Sequence, residues 1–295
     1  MKLARYAHRG RTCVGAVAGD RIVDLTPRMQ MEADADDTMP LSGMLLLLAG
    51  GEAAMASIRS YVEQEQQKAE HPTLADVRLL APIARPGKIV AIGRNYADHA
   101  AETGVKPFEN PRIIAKLPSS VVGPGAIVRK PAGITKLDYE VELGVVIGRH
   151  AKLVTREEAL DYVAGYTILN DVSAREFQLD VSPAQTTFAK SMDDFCPMGP
   201  WIVTRDEIAD PQNLALKLWV NGELLQDGNT HDMIFGIAQL IEYISRYMTL
   251  EPGDVIATGT PAGVGAFRKP PRWLQRGDRL ELEISGIGRL AHTIG

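Results

Sequence analysis

The sequence predicts an α+β protein, mostly β, in which a small N-terminal α/β unit precedes a larger mixed sheet curled on itself. Two observations carry that expectation. Beyond residue 83 the strand-like runs are short and unevenly spaced, and helices do not alternate with them as a doubly wound fold requires. Before it, a hairpin pattern and an Ala-, Leu-, Glu- and Gln-rich stretch stand apart, closed by a connector from His71 to Pro86 that carries Pro72 and Pro82. The expected domains are therefore residues 1–82 and 83–295.

From Arg11 onward, TCVGAVA and RIVDL read as two strands joined at Gly19-Asp20. Leu41–Gln67 reads as helical, broken at Gly50-Gly51. Expected strands follow at Lys88–Ile92, Tyr139–Ile147, Tyr166–Leu169, Trp201–Val203, Leu214–Val220, Val255–Ala257, Arg279–Ile284 and Arg289–Thr293. Asn221-Gly222 and Pro252-Gly253 supply turns between them. Helices are expected at Arg156–Val163, Ala174–Leu179 and Phe235–Met248. The last places Ile237, Leu240, Ile241, Ile244 and Met248 on one face.

Composition narrows the function classes. A chain of 295 residues buries a substantial core, and 45% hydrophobic with 23% charged residues is an ordinary globular balance. The net charge of −5 and the lack of a dense basic run argue against a nucleic-acid partner. The longest apolar stretch, Met44–Ala49, is far too short to span a bilayer, and the opening residues lack a signal-peptide pattern, so a cytoplasmic location is expected. Cys13 and Cys196 have no metal-type spacing.

The most informative stretch is LDYEVELGVVI, residues 137–147. On a strand Asp138, Glu140 and Glu142 point one way while Tyr139, Val141 and Leu143 can pack into a core. Glutamates two apart stand roughly 6–7 Å apart at Cα, close enough to share one cation. A hard, oxygen-preferring ion such as Mg²⁺, Mn²⁺ or Ca²⁺ would resolve their repulsion. Alternating acids are equally the ordinary face of a solvated strand. Asp171, closing the apolar run GYTILND, is either a third ligand or a helix cap. His99 and Glu102, if helical, lie three apart on one face, as a general base with its orienting carboxylate or as a plain ion pair. Lys190 would by residue type be a surface lysine. The loop Gly259–Gly265 lacks the phosphate-loop Lys-Ser/Thr and reads alone as a tight turn.

Taken in order, IGRNYADHAAE, DYEVELGVVIG, GYTILNDVSAREFQ, FAKSMDDFCPMGPW, VNGELLQDGNTHDMIF and LEPGDVIATGTPAGVG resemble the fumarylacetoacetate hydrolase family, from about Lys88 to the C-terminus. The resemblance implies a rolled mixed β-sheet catalytic domain, a homodimer, and one divalent cation per chain, Mg²⁺ or Mn²⁺ with Ca²⁺ also suited. It implies Glu140, Glu142 and Asp171 as metal ligands and leaves Asp138 out. It implies His99, Glu102 and Lys190 as catalytic, and Arg94, Gln178 and Thr260 as substrate-binding, with Arg175 free to be structural. Thr103–Pro111 would belong to a lid. The implied activity is hydrolysis of a C–C bond in an acylpyruvate-like 2,4-dioxo acid through a metal-bound enolate. The rivals are an oxaloacetate decarboxylase or 2-oxo-diacid isomerase on the same site, or a metal-stabilised binding protein with a degenerate site.

Overall fold

The computed structural model describes residues 1–26, 43–68, 70–104 and 106–295. The expected helix Leu41–Gln67 thus begins on two residues outside the described ones, as does one residue of the Thr103–Pro111 segment. The fold is mostly β, built on two mixed sheets. The larger runs, in spatial order, Arg21–Asp24, Arg11–Ala18, Lys2–His8, Cys196–Thr204, Val163–Asn170, Val141–Ile147, Val255–Ala257, Ile89–Gly93 and Arg112–Lys116. Val255–Ala257 and Ile89–Gly93 are parallel; the other neighbours along that path are antiparallel. The smaller sheet orders Glu223–Asn229, Ala215–Val220, Arg279–Ile284, Gly288–Ile294 and Ile127–Val128. No helix among the described residues is long and apolar enough to cross a membrane.

The strand Val141–Ile147 shows why the site lies where it does. All seven of its residues are buried, because strands flank it on both edges and a core covers each face. Val141, Leu143, Val145 and Ile147 join Leu216, Leu218, Leu280, Leu282 and the helix Ile237–Tyr247 in one core between the sheets. Val146 faces the other way, into a core shared with Met44, Leu47 and Leu48 of the N-terminal helices. Glu142 stands on that second face. The N-terminal strand adds to the same sheet, with Lys2 opposite Val203 and Leu3 opposite Ile202.

Several expected elements differ from the observed ones for local reasons. The strand Tyr139–Ile147 is not continuous; its ladder starts at Val141, while Leu137–Asp138 pairs separately with Ser173–Ala174. Side chains have captured the intervening N–H groups: Glu140 donates to Asn170 Oδ1 at 3.0 Å and Val141 to Gln226 Oε1 at 2.9 Å. The expected helix Ala174–Leu179 is a π-helical turn, Glu176–Asp180, entered from the short strand Ser173–Ala174. The Glu176 carboxylate accepts from the backbone of Thr135 and Lys136, pinning the turn from outside its own hydrogen-bond ladder. Arg156–Val163 reduces to a 3₁₀ turn, Ala159–Tyr162, because Val163 already begins the next strand. The N-terminal helical stretch divides into Gly43–Ala49 and Gly51–Glu65, at the glycine pair.

Candidate active site

Two antiparallel neighbours bring the three carboxylates together. Val141 is opposite Asn170, and the Asp171 N–H donates to the Glu140 carbonyl at 2.9 Å, so the residues flanking that register meet at the sheet's end. Oxygens of Glu140, Glu142 and Asp171 lie within 4.8 Å of one another, on residues 5%, 2% and 1% exposed. This is not a solvated strand face. Asp138 turns elsewhere, accepting from Arg175 Nε at 2.8 Å and from the N–H groups of Gly265 and Ala266. Glu65, Glu70 and His71 also converge among the described residues, but Lys68 already pairs with Glu65 at 2.7 Å and Glu70 is exposed.

Charge at the cluster is balanced unevenly. Lys190 Nζ donates to Glu140 at 2.7 Å, to Ser173 Oγ at 2.9 Å and to Asp171; Arg175 Nη2 donates to Glu140 at 2.7 Å. Burial works to raise the Glu140 carboxyl, but Lys190, Arg175 and His99 outweigh it and hold the group well below the usual range. Glu142 has no such partner. Burial first, then Asp171 and Glu140, push its carboxyl well above the usual range, opposed by Lys190 and one hydrogen bond from Gly259 N–H at 2.9 Å. A buried, all-oxygen donor set with one carboxylate lacking a cationic partner fits a hard divalent cation such as Mg²⁺ or Mn²⁺.

His99 and Glu102 both fall in the short helix Ala97–Glu102, and Nδ1 meets Oε1 at 2.6 Å. The second Glu102 oxygen accepts the Gly263 N–H at 3.0 Å, and Asp98 accepts those of His99 and Ala262. The glycine loop thus docks the helix through its backbone rather than binding phosphate. Gly263 has φ +103°, and a Cβ there would stand 2.2 Å from the Leu225 carbonyl oxygen, so only glycine fits this approach.

Eight of the nine residues expected from the sequence line one cavity of about 280 Å³; Glu102 sits behind His99. Arg94 stands on its wall with φ +55°, its guanidinium 5.7 Å from the Phe108 ring. Gln178 accepts from Arg175 at 2.7 Å, and Thr260 Oγ1 accepts from Gln226 at 2.8 Å. Arg175 is the structural residue the sequence allowed, bridging Asp138 and Glu140.

Sequence reasoning missed four contributors. Asn170 accepts the Glu140 N–H and donates through Nδ2 to His292 Nε2 at 2.8 Å, fixing the backbone beside the cluster. His292, for which the sequence suggests no partner, is kept neutral by burial, which brings its pKa down to about 3. Arg112 lines the cavity. Lys116, 1% exposed, donates to Asp171 Oδ1 at 2.8 Å and to the Lys190 carbonyl. Its place at the end of the apolar run RIIAK, where an edge lysine is commonplace, hides this. Lys116→Met should destabilise the fold by about 3–5 kcal/mol in urea unfolding, since it strips a buried carboxylate of one partner. A loss below about 1 kcal/mol, the scale of an exposed pair, would contradict this.

The sequence model described as fumarylacetoacetate (FAA) hydrolase C-terminal matches residues 88–295. A mitochondrial oxaloacetate tautomerase of Bos taurus is 41% identical over 261 residues, covering 88% of this chain and 81% of its own. Among solved structures, maleylpyruvate hydrolase from Sphingobium sp. SYK-6, in complex with manganese(II) ion and pyruvate, superposes with a TM-score of 0.82 at 34% identity, covering 100% of this chain and 98% of that one. A 2-hydroxyhepta-2,4-diene-1,7-dioate isomerase from Mycobacterium marinum gives 0.74 at 34%, with coverage of 100% and 98%.

Proposed function

The chain belongs to the fumarylacetoacetate hydrolase family, and from that premise we propose that it is a divalent-cation-dependent hydrolase of acylpyruvate-like 2,4-dioxo acids. The observation that carries this reading is the convergence, in one cavity, of the buried triad Glu140, Glu142 and Asp171 with the His99–Glu102 pair. The triad would hold one Mg²⁺ or Mn²⁺, and a cation so held supplies Lewis acidity toward the carboxylate and carbonyl oxygens of a 2-oxo acid.

The chain's own residues account for the proton traffic. His99, oriented through Nδ1 by Glu102, takes a proton from water as the water oxygen bonds to the distal carbonyl carbon. Lys190, a fixed ammonium beside the triad, supplies positive charge where oxyanion character develops. The C–C bond then breaks with its electron pair passing to the 2-oxo fragment. Return of the proton to carbon leaves a carboxylic acid and pyruvate.

A second reading, tautomerisation of a 2-oxo diacid, draws on the similarity to an oxaloacetate tautomerase. It needs His99 as a base but no attacking water. The test is a substrate panel in Mg²⁺ and in Mn²⁺: acetylpyruvate and longer acylpyruvates followed by pyruvate release, and oxaloacetate followed by keto–enol exchange and by CO₂ release. Pyruvate release from acylpyruvates at rates above the oxaloacetate reactions is the expected outcome. Keto–enol exchange without acylpyruvate cleavage would replace hydrolysis by the second reading.

A further inference from the structure

We infer that Glu65, Glu70 and His71 form a second cation site, in the N-terminal unit and separate from the carboxylate triad, suited to a transition ion such as Zn²⁺. The inference goes beyond the proposed activity and does not depend on it.

A helix end and the connector that follows it bring the three side chains together. Glu65 is the last residue of the helix Gly51–Glu65, and the Gln66 N–H still donates to the Val62 carbonyl at 2.9 Å. The chain then turns, with the Lys68 N–H donating to the Glu65 carbonyl at 2.9 Å, ahead of Glu70 and His71. The connector is held against the edge strand Arg21–Asp24. Arg21 Nη1 donates to the His71 carbonyl at 2.7 Å, and the Ile22 N–H to that of Pro72 at 3.0 Å. One ligand atom from each of Glu65, Glu70 and His71 thereby lies within 4.8 Å of the other two. The negative end of the helix dipole adds to the two carboxylates in favouring a cation there.

A buried, unpaired nitrogen separates this cluster from a patch of surface acids. His71 is 8% exposed, yet its Nε2 is buried and has no hydrogen-bond partner among the described residues. Such atoms are uncommon and cost stability while they stay unpaired. Glu65 Oε2 stands 3.7 Å from this nitrogen, too far for a hydrogen bond. Two donors on a tetrahedral Zn²⁺, each about 2.0–2.1 Å from it, are separated by roughly 3.3–3.5 Å. A small closing movement therefore turns the gap into one edge of a coordination shell. Lys68 takes only the other Glu65 oxygen, Oε1, and a half-exposed pair of this kind contributes little. Glu70 and His71 line a cavity of about 610 Å³, in which water can complete the shell. Arg9 and Arg21 line it too and oppose any ion held by charge alone. An imidazole beside two carboxylates instead favours Zn²⁺ over Mn²⁺, which binds such sites more weakly, and over Mg²⁺, which prefers oxygen throughout.

Zinc counted after equilibrium dialysis tests the assignment, using the full chain in excess Mg²⁺ and the Glu142→Gln background to disable the triad. That protein should retain one equivalent of Zn²⁺. Adding His71→Gln or Glu70→Gln should each weaken zinc binding at least about tenfold, the low end of what even an outer-shell loss costs a metal site. Glu70 is exposed, so Glu70→Gln distinguishes a lost ligand from a lost structure. A zinc affinity left unchanged by either substitution, or no zinc retained in the Glu142→Gln background, would overturn the site.

Discussion

Glu142→Gln should abolish divalent-cation binding and activity together, yet make the cation-free protein more stable by about 1–3 kcal/mol. Glu142 is 2% exposed and accepts one hydrogen bond, from Gly259, while Asp171 and Glu140 crowd it with like charge. A glutamine keeps an oxygen for that N–H and replaces a repelling carboxylate oxygen by an amide donor that its acidic neighbours can accept from. The pH dependence follows from the direction of the shift. The carboxyl is raised in the folded state, so its favourable contribution is complete below its ordinary value of 4.5 and is lost as pH climbs toward the folded value. In chelator the gap between variant and wild type should therefore widen from pH 5 to pH 8. Adding Mn²⁺ should reverse the order, stabilising the wild type by mass action and leaving the variant unchanged. Urea unfolding with and without Mn²⁺ measures all of this. A variant less stable than wild type in chelator, or one that still binds Mn²⁺, would show that Glu142 is not the strained ligand described here.

The same carboxylates show what a sequence can and cannot reveal. The two-residue period of Glu140 and Glu142 was plain, because strand geometry fixes which side chains share a face. Their burial was not, because it depends on Val163–Asn170 and Val255–Ala257 flanking the strand and on cores against both faces. One hint was present: Val145-Val146-Ile147 continues apolar where a half-wet strand would alternate. The break before Val141 had no local cause to read, since the side chains that take its N–H groups come from Asn170 and Gln226, far along the chain. Lys116 and Arg112 were hidden for the same reason. Their partners or roles are set by Asp171 and Gly93, which folding alone brings beside them. The His99–Glu102 pair was legible because both members sit in one helical turn.

His99→Ala should lower kcat by roughly 10²–10⁴-fold while leaving Mn²⁺ affinity unchanged. The alternative base in the cavity is Lys190, and its surroundings argue against it. Its ammonium donates to Glu140, Asp171 and Ser173, and although burial opposes the charge, Asp171 and Glu140 outweigh it and raise the lysine above its ordinary range. A lysine held protonated has no lone pair to accept a proton. An imidazole can offer one when neutral: Nδ1 is committed to Glu102, and the other ring nitrogen is left for the reaction. Glu102→Gln should cost less than His99→Ala, since glutamine can still accept from either His99 or Gly263 but cannot serve both with carboxylate oxygens. Added imidazole should recover part of the His99→Ala rate, because the cavity retains the triad and Lys190 and lacks only the base. A His99→Ala enzyme with wild-type kcat would transfer proton abstraction to another group. Recovery by imidazole of oxaloacetate enolisation but not of acylpyruvate cleavage would mean that His99 acts on a substrate carbon and not on water, which is the distinction between the two readings of this site.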